Sequence, residues 1–282
     1  MKKIAILIAV CTFYLQAQSF RVEPQTLKNT LNTYTILDTR DNSMFQKNHI
    51  LGALNLPADK TYQDVKHNGK IAQPSKMVTI IQNLGLHIDD PIVIYDDGSF
   101  FKSSRVFWAL ETYGFKNLKI LNHGFRYWTS NSFPTTNQIT KSKKSNYILT
   151  INDKSFATSF TTLIAIKNPK EVIIDARPNA AYKGEKTTAK RSGHIPGAIN
   201  KSARENIDKS GKFQTLKSVS SLKNIYKDID KSKHVIVYCG DGKVSPTSYL
   251  AFREMGYNVT NYDASWKEWG NDFSLPVETP TR

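Results

Sequence analysis

Cysteine is nearly absent from this chain: of 282 residues, only Cys11 and Cys239 carry a thiol. Cys11 falls in a leading segment patterned like an export signal. Lys2-Lys3 is a charged start, Ile4 to Leu15 an apolar stretch, and Leu15-Gln16-Ala17 a small-residue end, so residues 1–17 are expected to be cleaved off after Ala17. One thiol then remains and no internal disulfide can form. A lone cysteine in an exported chain reads as a free reactive thiol or an intermolecular partner. No cysteine stands directly after the cleavage point, which argues against a lipid anchor. Long apolar runs are missing too: Ile4 to Leu15 is shorter than the roughly 20 residues that span a bilayer. The expectation is an exported, soluble mature protein with no membrane anchor, periplasmic in a Gram-negative source.

Other absences narrow the chemistry. The six histidines, His49, His67, His87, His123, His194 and His234, show no metal-ligand spacing, so neither metal nor cofactor is expected. No Gly-x-Ser-x-Gly nucleophile elbow occurs. The formal charge of +15 is large, but its lysines and arginines are scattered, with one modest cluster at Lys141-Ser142-Lys143-Lys144. No nucleic-acid motif accompanies them. They read as a solvated basic surface that attracts small anions, with no nucleic-acid partner.

What is present centres on residues 234–246. His234-Val235-Ile236-Val237-Tyr238 is an apolar, β-branched run that predicts a buried strand. Cys239 opens the glycine-punctuated turn Gly240-Asp241-Gly242-Lys243-Val244. Ser245-Pro246 then reads as an N-cap and first helical residue, with the helix running to about Met255 before Gly256. A thiol between a strand end and a helix N-terminus is surrounded by backbone N–H groups, and both they and the helix dipole favour thiolate. The other reading is a small buried hydrophobe.

Much of the chain then occurs twice. Val172-Ile173-Ile174-Asp175-Ala176-Arg177 repeats Ile36-Leu37-Asp38-Thr39-Arg40. Gly193-His194-Ile195-Pro196-Gly197-Ala198 repeats Asn48-His49-Ile50-Leu51-Gly52-Ala53, and Val235 to Tyr238 repeats Ile92 to Tyr95. The Asp-to-His interval is longer by about eight residues in the second copy, between Asp175 and His194. Residues 21–33 suggest a lead-in helix, and Ser75 to Leu84 a helix capped by Ser75. Strands alternate with helices, so the predicted fold is α/β: two tandem units, each a mainly parallel sheet with helices on both faces. Residues 21–134 form the first, 135–146 a polar linker, and 147–280 the second. Active sites in such sheets lie beyond the carboxyl ends of strands. Cys239 sits at such an end, and its counterpart in the first copy is Asp96.

Together these residues resemble the rhodanese sulfurtransferase family in its tandem two-domain form. The resemblance rests on Asp-Ala-Arg at 175–177, Gly-His-Ile-Pro-Gly-Ala at 193–198, Tyr-Cys-Gly at 238–240 and Tyr-Asp-Ala-Ser-Trp-Lys-Glu-Trp-Gly at 262–270, and covers nearly the whole mature chain. It implies that Cys239 is the nucleophile and that Gly240, Asp241, Gly242, Lys243 and Val244 form the substrate-binding loop. A small anionic donor would leave its sulfur on Cys239 as a persulfide, and a thiophilic acceptor such as cyanide or a thiol would remove it. A substrate arginine that the family often carries is replaced by Ala181; Arg191 matches another. Lys243 favours thiosulfate as donor, with 3-mercaptopyruvate as the alternative. A different class of reading is a non-catalytic rhodanese-like binding module, or a persulfide carrier serving one partner.

The remaining residues weigh as follows. Asp175 with Arg177, and His194, recur as Asp38 with Arg40 and His49 in the copy without a thiol, so a structural role is expected. Trp266 and Trp269 read as core or pocket wall. The Gly240 to Ser245 turn imitates a dinucleotide fingerprint, but its third glycine position is Ser245 and too little chain follows Asp263 for that fold. A cysteine phosphatase would need arginine where Ser245 stands. The oligomeric state is not legible.

Overall fold

The apolar runs become the centres of two sheets. In this computed structural model, which describes residues 19–64 and 69–279, the leading segment 1–17 lies outside the described residues. The first sheet comprises β1 (Arg21–Val22), β2 (Thr35–Asp38), β3 (Leu54–Asn55), β4 (Ile92–Tyr95) and β5 (Leu118–Leu121). The second comprises β6 (Phe156–Ala157), β7 (Glu171–Asp175), β8 (Ile199–Asn200), β9 (His234–Tyr238) and β10 (Val259–Tyr262). The strand order is β1-β5-β4-β2-β3 in the first and β6-β10-β9-β7-β8 in the second, every pair parallel. The two orders are the same, so the duplication read in the sequence is a duplication of topology.

Strands buried on both faces need no polar alternation, and β4 and β9 have almost none. Their side chains instead divide between two cores. Leu37, Ile92, Ile94, Ile174, Val235 and Val237 enter one continuous cluster shared by both repeats, which also holds Trp108, Leu110, Tyr249 and Phe252. Ile36, Val93 and Tyr95 face a second cluster, and Ile173, Ile236 and Tyr238 a third, each confined to one repeat. The shared core is closed by the helix after β4, Phe101–Thr112, lying against the helix after β9, Ser245–Glu254. Polar ties cross this contact: Tyr249 Oη donates to Glu111 Oε2 at 2.7 Å, Arg253 pairs with Glu111 at 2.8 Å, and Trp108 Nε1 donates to the Ser155 carbonyl at 2.8 Å.

Three local expectations are corrected. Residues 21–33 are an edge strand, a helix at Pro24–Asn29 and a 3-10 turn at Leu31–Thr33, because burial of Phe20 and Val22 draws the chain into the sheet before Pro24 starts the helix. The helix expected from Ser75 to Leu84 is Pro74–Asn83, with Pro74 as its first residue, so Ser75 lies inside it and caps nothing. Ser245 is likewise the first residue of its helix rather than the cap: Val244 holds that place, and the Ser245 hydroxyl is buried without a partner. The polar segment after the first repeat begins as a strand, Thr135–Thr136 pairing with His49–Ile50, and runs along that repeat, Ser145 N–H donating to the Gln82 carbonyl at 3.0 Å.

Candidate active site

Cys239 stands at the carboxyl end of β9, fully buried and unpaired. Its N–H donates to Ser265 Oγ at 3.1 Å; that oxygen lies 3.9 Å from the thiol Sγ and 3.0 Å from the Tyr262 carbonyl. Ser265 holds a left-handed backbone, φ +56°, uncommon for a residue with a side chain. The Cys239 and Gly240 carbonyls accept from Trp266 N–H at 2.9 Å and Lys267 N–H at 2.8 Å. The base of the loop is thus stitched to the turn after β10. Among the described residues, nothing accepts a hydrogen bond from the N–H groups of Gly240 to Val244. Free N–H groups between a strand end and the start of a ten-residue helix form an anion-accepting concavity.

The first repeat shows the same construction already filled. Asp96 takes the place of Cys239 at the end of β4. Its carboxylate accepts from the N–H groups of Gly98 at 2.8 Å, Phe100 at 3.1 Å and Ser103 at 3.2 Å, and from the Ser103 hydroxyl at 3.1 Å. Burial, then the neighbouring Asp97, pushes the Asp96 carboxyl up, while the three N–H groups pull it down. Where the first loop closes on a resident carboxylate, the second leaves its N–H groups beside a thiol.

A cavity of about 190 Å³ opens beside the second loop. Gly240 and Val244 of the loop line it together with Arg177, Ala181, Lys186 and Thr188. Lys186 and Thr188 come from the segment by which the second copy is longer, so that insertion lies beside Gly240, the residue after the thiol. Ala181, where a substrate arginine is missing, faces the same cavity as Lys186. A larger cavity, about 340 Å³, lies between the repeats and shares the Val244 wall; Tyr62, Phe101, Lys102, Arg105 and Lys243 also line it.

The expected loop residues therefore separate. Gly240 and Val244 border the smaller cavity. Gly242, with φ +74°, leaves no room for a Cβ, which would lie 2.8 Å from the Asp263 carbonyl oxygen. Lys243 turns away: its ammonium pairs with Asp241 at 2.7 Å, is half exposed, and borders the inter-repeat cavity. Asp241, paired in this way, does not line the smaller cavity. Arg191 is a correction. Its guanidinium donates to the carbonyls of Leu275 at 2.7 Å, Trp269 at 2.7 Å, Gly270 at 3.3 Å and Asp272, and so ties down the chain after the last helix instead of reaching the cavity.

The two expected structural sets recur almost atom for atom. Arg177 Nη2 meets Asp175 Oδ2 at 2.5 Å and the Gly193 carbonyl at 2.7 Å, while Tyr238 Oη donates to Asp175 Oδ2 at 2.6 Å and accepts from Ile195 N–H at 3.2 Å. In the copy without a thiol, Arg40, Asp38, Tyr95 and Ile50 repeat this at 2.5, 2.6 and 3.1 Å. Burial, then Asp175, holds the Tyr238 phenol well above its usual range, so it remains a donor. His49 stacks on Phe45 and His194 on Tyr182, both at 3.8 Å between ring centres. Trp266 and Trp269 are fully buried. Sequence reasoning missed Ser265, Lys186 and Thr188. Ser265 lay inside a quoted motif, and the length of the second copy's insertion was the one available signal for the other two.

No group of three or more His, Cys, Asp or Glu among the described residues is placed to hold a metal. Comparison with known proteins gives a consistent picture. The profile of the rhodanese-like domain matches twice, over residues 23–131 and 159–272. A thiosulfate sulfurtransferase of Corynebacterium glutamicum is 28% identical over 255 residues, 85% of this chain and 82% of its own. The 3-mercaptopyruvate sulfurtransferase of Escherichia coli K12 is 29% identical over 214 residues, 74% of this chain and 75% of its own. The sulfur carrier protein TtuD of Thermus thermophilus is 28% identical over 250 residues, 83% of this chain and 86% of its own. The crystal structure of SseA from Escherichia coli superposes with a TM-score of 0.79 at 24% identity, covering 88% of this chain and 99% of that one.

Proposed function

This chain belongs to the rhodanese family, and from that premise we propose that it moves a sulfane sulfur from thiosulfate to cyanide or a thiol through a persulfide on Cys239. The observation that carries the reading is the lone buried thiol beside loop N–H groups that have no partner among the described residues, in a fold whose other copy turns N–H groups of its loop and following helix onto a carboxylate. In the first half-reaction the Cys239 thiolate attacks the outer sulfur of thiosulfate. A Cys–S–S bond forms, the bond to the sulfonate sulfur breaks, and sulfite leaves with the electron pair. In the second, cyanide attacks the terminal sulfur, releasing thiocyanate and regenerating the thiolate. The loop N–H groups would stabilise the anionic persulfide between the two steps.

Lys186 supports an anionic donor such as thiosulfate, because it lines the cavity that Gly240 and Ala181 also line. Lys186→Ala is expected to raise the apparent KM for thiosulfate roughly five- to tenfold with little change in kcat. Arg191→Ala is expected to leave that KM unchanged and to lower Tm, since four carbonyls lose a side-chain donor and those of Leu275 and Asp272 are left without the guanidinium that ties them down. The reverse pattern would return Arg191 to the site. Export, supported by the pattern of residues 1–17, belongs to the same proposal; the intact mass of protein from its native source tests it, and retention of residues 1–17 would refute it.

The test of the reaction is intact-protein mass after exposure to thiosulfate and, separately, to 3-mercaptopyruvate. A gain of roughly 32 Da from thiosulfate, discharged by cyanide as thiocyanate, is expected. A gain from 3-mercaptopyruvate alone would exchange the donors. No gain from either would leave the binding-module or dedicated-carrier reading.

A further inference from the structure

Arg105 belongs to the repeat that has no thiol, yet it reaches the thiol loop. Its side chain is 1% exposed. Nε and Nη2 donate to Thr61 Oγ1 and the Thr61 carbonyl, each at 3.2 Å, which fixes the guanidinium within its own repeat. Nη1 crosses to the second repeat, donating to the Gly242 carbonyl at 3.3 Å and to Asp263 Oδ1 at 3.1 Å. The rings of Tyr62 and Trp108 cover its faces at 3.9 and 4.7 Å. Tyr62 Oη donates to the same Gly242 carbonyl at 3.4 Å.

These contacts bear on the orientation of the loop. A trans peptide points its C=O and the following N–H in opposite directions. Holding the Gly242 carbonyl on the Arg105 side therefore turns the Lys243 N–H to the other face of the loop. Asp263 stands two residues before Ser265, the residue that receives the Cys239 N–H. One buried cation thus touches both the middle of the loop and the turn to which its base is stitched. Asp263 is held by Arg105 and by the Ile71 N–H; burial pushes its carboxyl up and the Arg105 charge pulls it down.

We propose that Arg105 is a positioning residue for sulfur transfer: from the first repeat it orients the Gly242–Lys243 peptide so that the loop N–H groups face the sulfur on Cys239. The proposal rests on the persulfide reading of Cys239. It gives the repeat without a thiol a part in the reaction, beyond its share of the core.

Single-turnover persulfide formation, followed by mass across thiosulfate concentrations, tests it on the full chain. Arg105→Met is expected to slow the rate constant about 100-fold, with the apparent donor affinity within about twofold. Arg105→Lys, which keeps the charge beside Asp263 but has one donor head, is expected to recover part of that, to about a tenfold loss. Tyr62→Phe, the mildest change, is expected to lose about threefold and carries the test if Arg105→Met does not fold. Tyr249→Phe loses a hydrogen bond at the same helix contact without touching the loop; it is expected to lower Tm and leave the rate constant unchanged. Wild-type rate constants in Arg105→Lys and Tyr62→Phe, or an equal loss in Tyr249→Phe, would overturn the positioning role alone. No adduct on the wild-type chain would overturn the persulfide reading and this role with it.

Discussion

Cys239→Ala is expected to fold and to lose sulfur transfer by at least about 10⁴-fold, because covalent catalysis leaves no path without its nucleophile. The other cysteine, Cys11, lies in the leading segment that the export proposal removes, and the place equivalent to Cys239 in the first repeat is Asp96. The fold should survive because the loop is anchored by backbone groups. The N–H to Ser265 and the carbonyls to Trp266 and Lys267 remain in the alanine variant. The lost sulfur leaves a small void beside Ala176 and Ala203, costing about 1 kcal/mol. Thiocyanate release measures the activity and the urea midpoint measures the stability. Transfer above about 1% of wild type would remove Cys239 as nucleophile.

The largest expected loss of stability is at Asp175. Replacing it by alanine leaves the buried Arg177 guanidinium without its counter-charge and the Tyr238 hydroxyl without its acceptor. Breaking a buried ion pair from one side typically costs about 3–5 kcal/mol, a large share of the usual 5–15 kcal/mol. Asp38→Ala, in the copy without a thiol, is expected to cost about as much, since Arg40 and Tyr95 repeat the same geometry. Urea denaturation of both variants makes the comparison. If Asp175→Ala proved stable while losing activity, and Asp38→Ala proved silent, the pair at 175–177 would be part of the chemistry rather than the scaffold.

The fold was legible because its signals are local. A five-residue apolar run, a glycine turn and a repeat of Asp-x-Arg at a matching place each follow from nearest neighbours, and together they imply two parallel sheets. Cys239 was legible for the same reason, as the lone thiol at a strand end. Long-range contacts were not. Arg105 sits in Ser103-Ser104-Arg105-Val106, which carries no mark of burial, and its partners lie 137 and 158 residues away. Arg191 misled because a cation beside Ser192-Gly193-His194 fits a substrate grip as well as it fits four carbonyls of a chain end. The sequence does not reveal that Lys243 pairs with Asp241, two residues away, and borders the inter-repeat cavity. Ser265 was hidden by a backbone conformation that no residue type announces except glycine.

The meeting of the Phe101–Thr112 helix with the Ser245–Glu254 helix has a consequence for how the chain came to work with one thiol. Each helix follows the equivalent strand of its own repeat, so the contact joins an element to its own counterpart, as the isologous interface of a two-fold homodimer does. In a true homodimer every substitution falls on both sides at once. Joined in one polypeptide, the halves are free to differ: one closes its loop on Asp96 and carries Arg105 on the helix that follows, while the other leaves its loop N–H groups without an acceptor among the described residues. The chain is a symmetric pair whose symmetry has been spent on a division of labour.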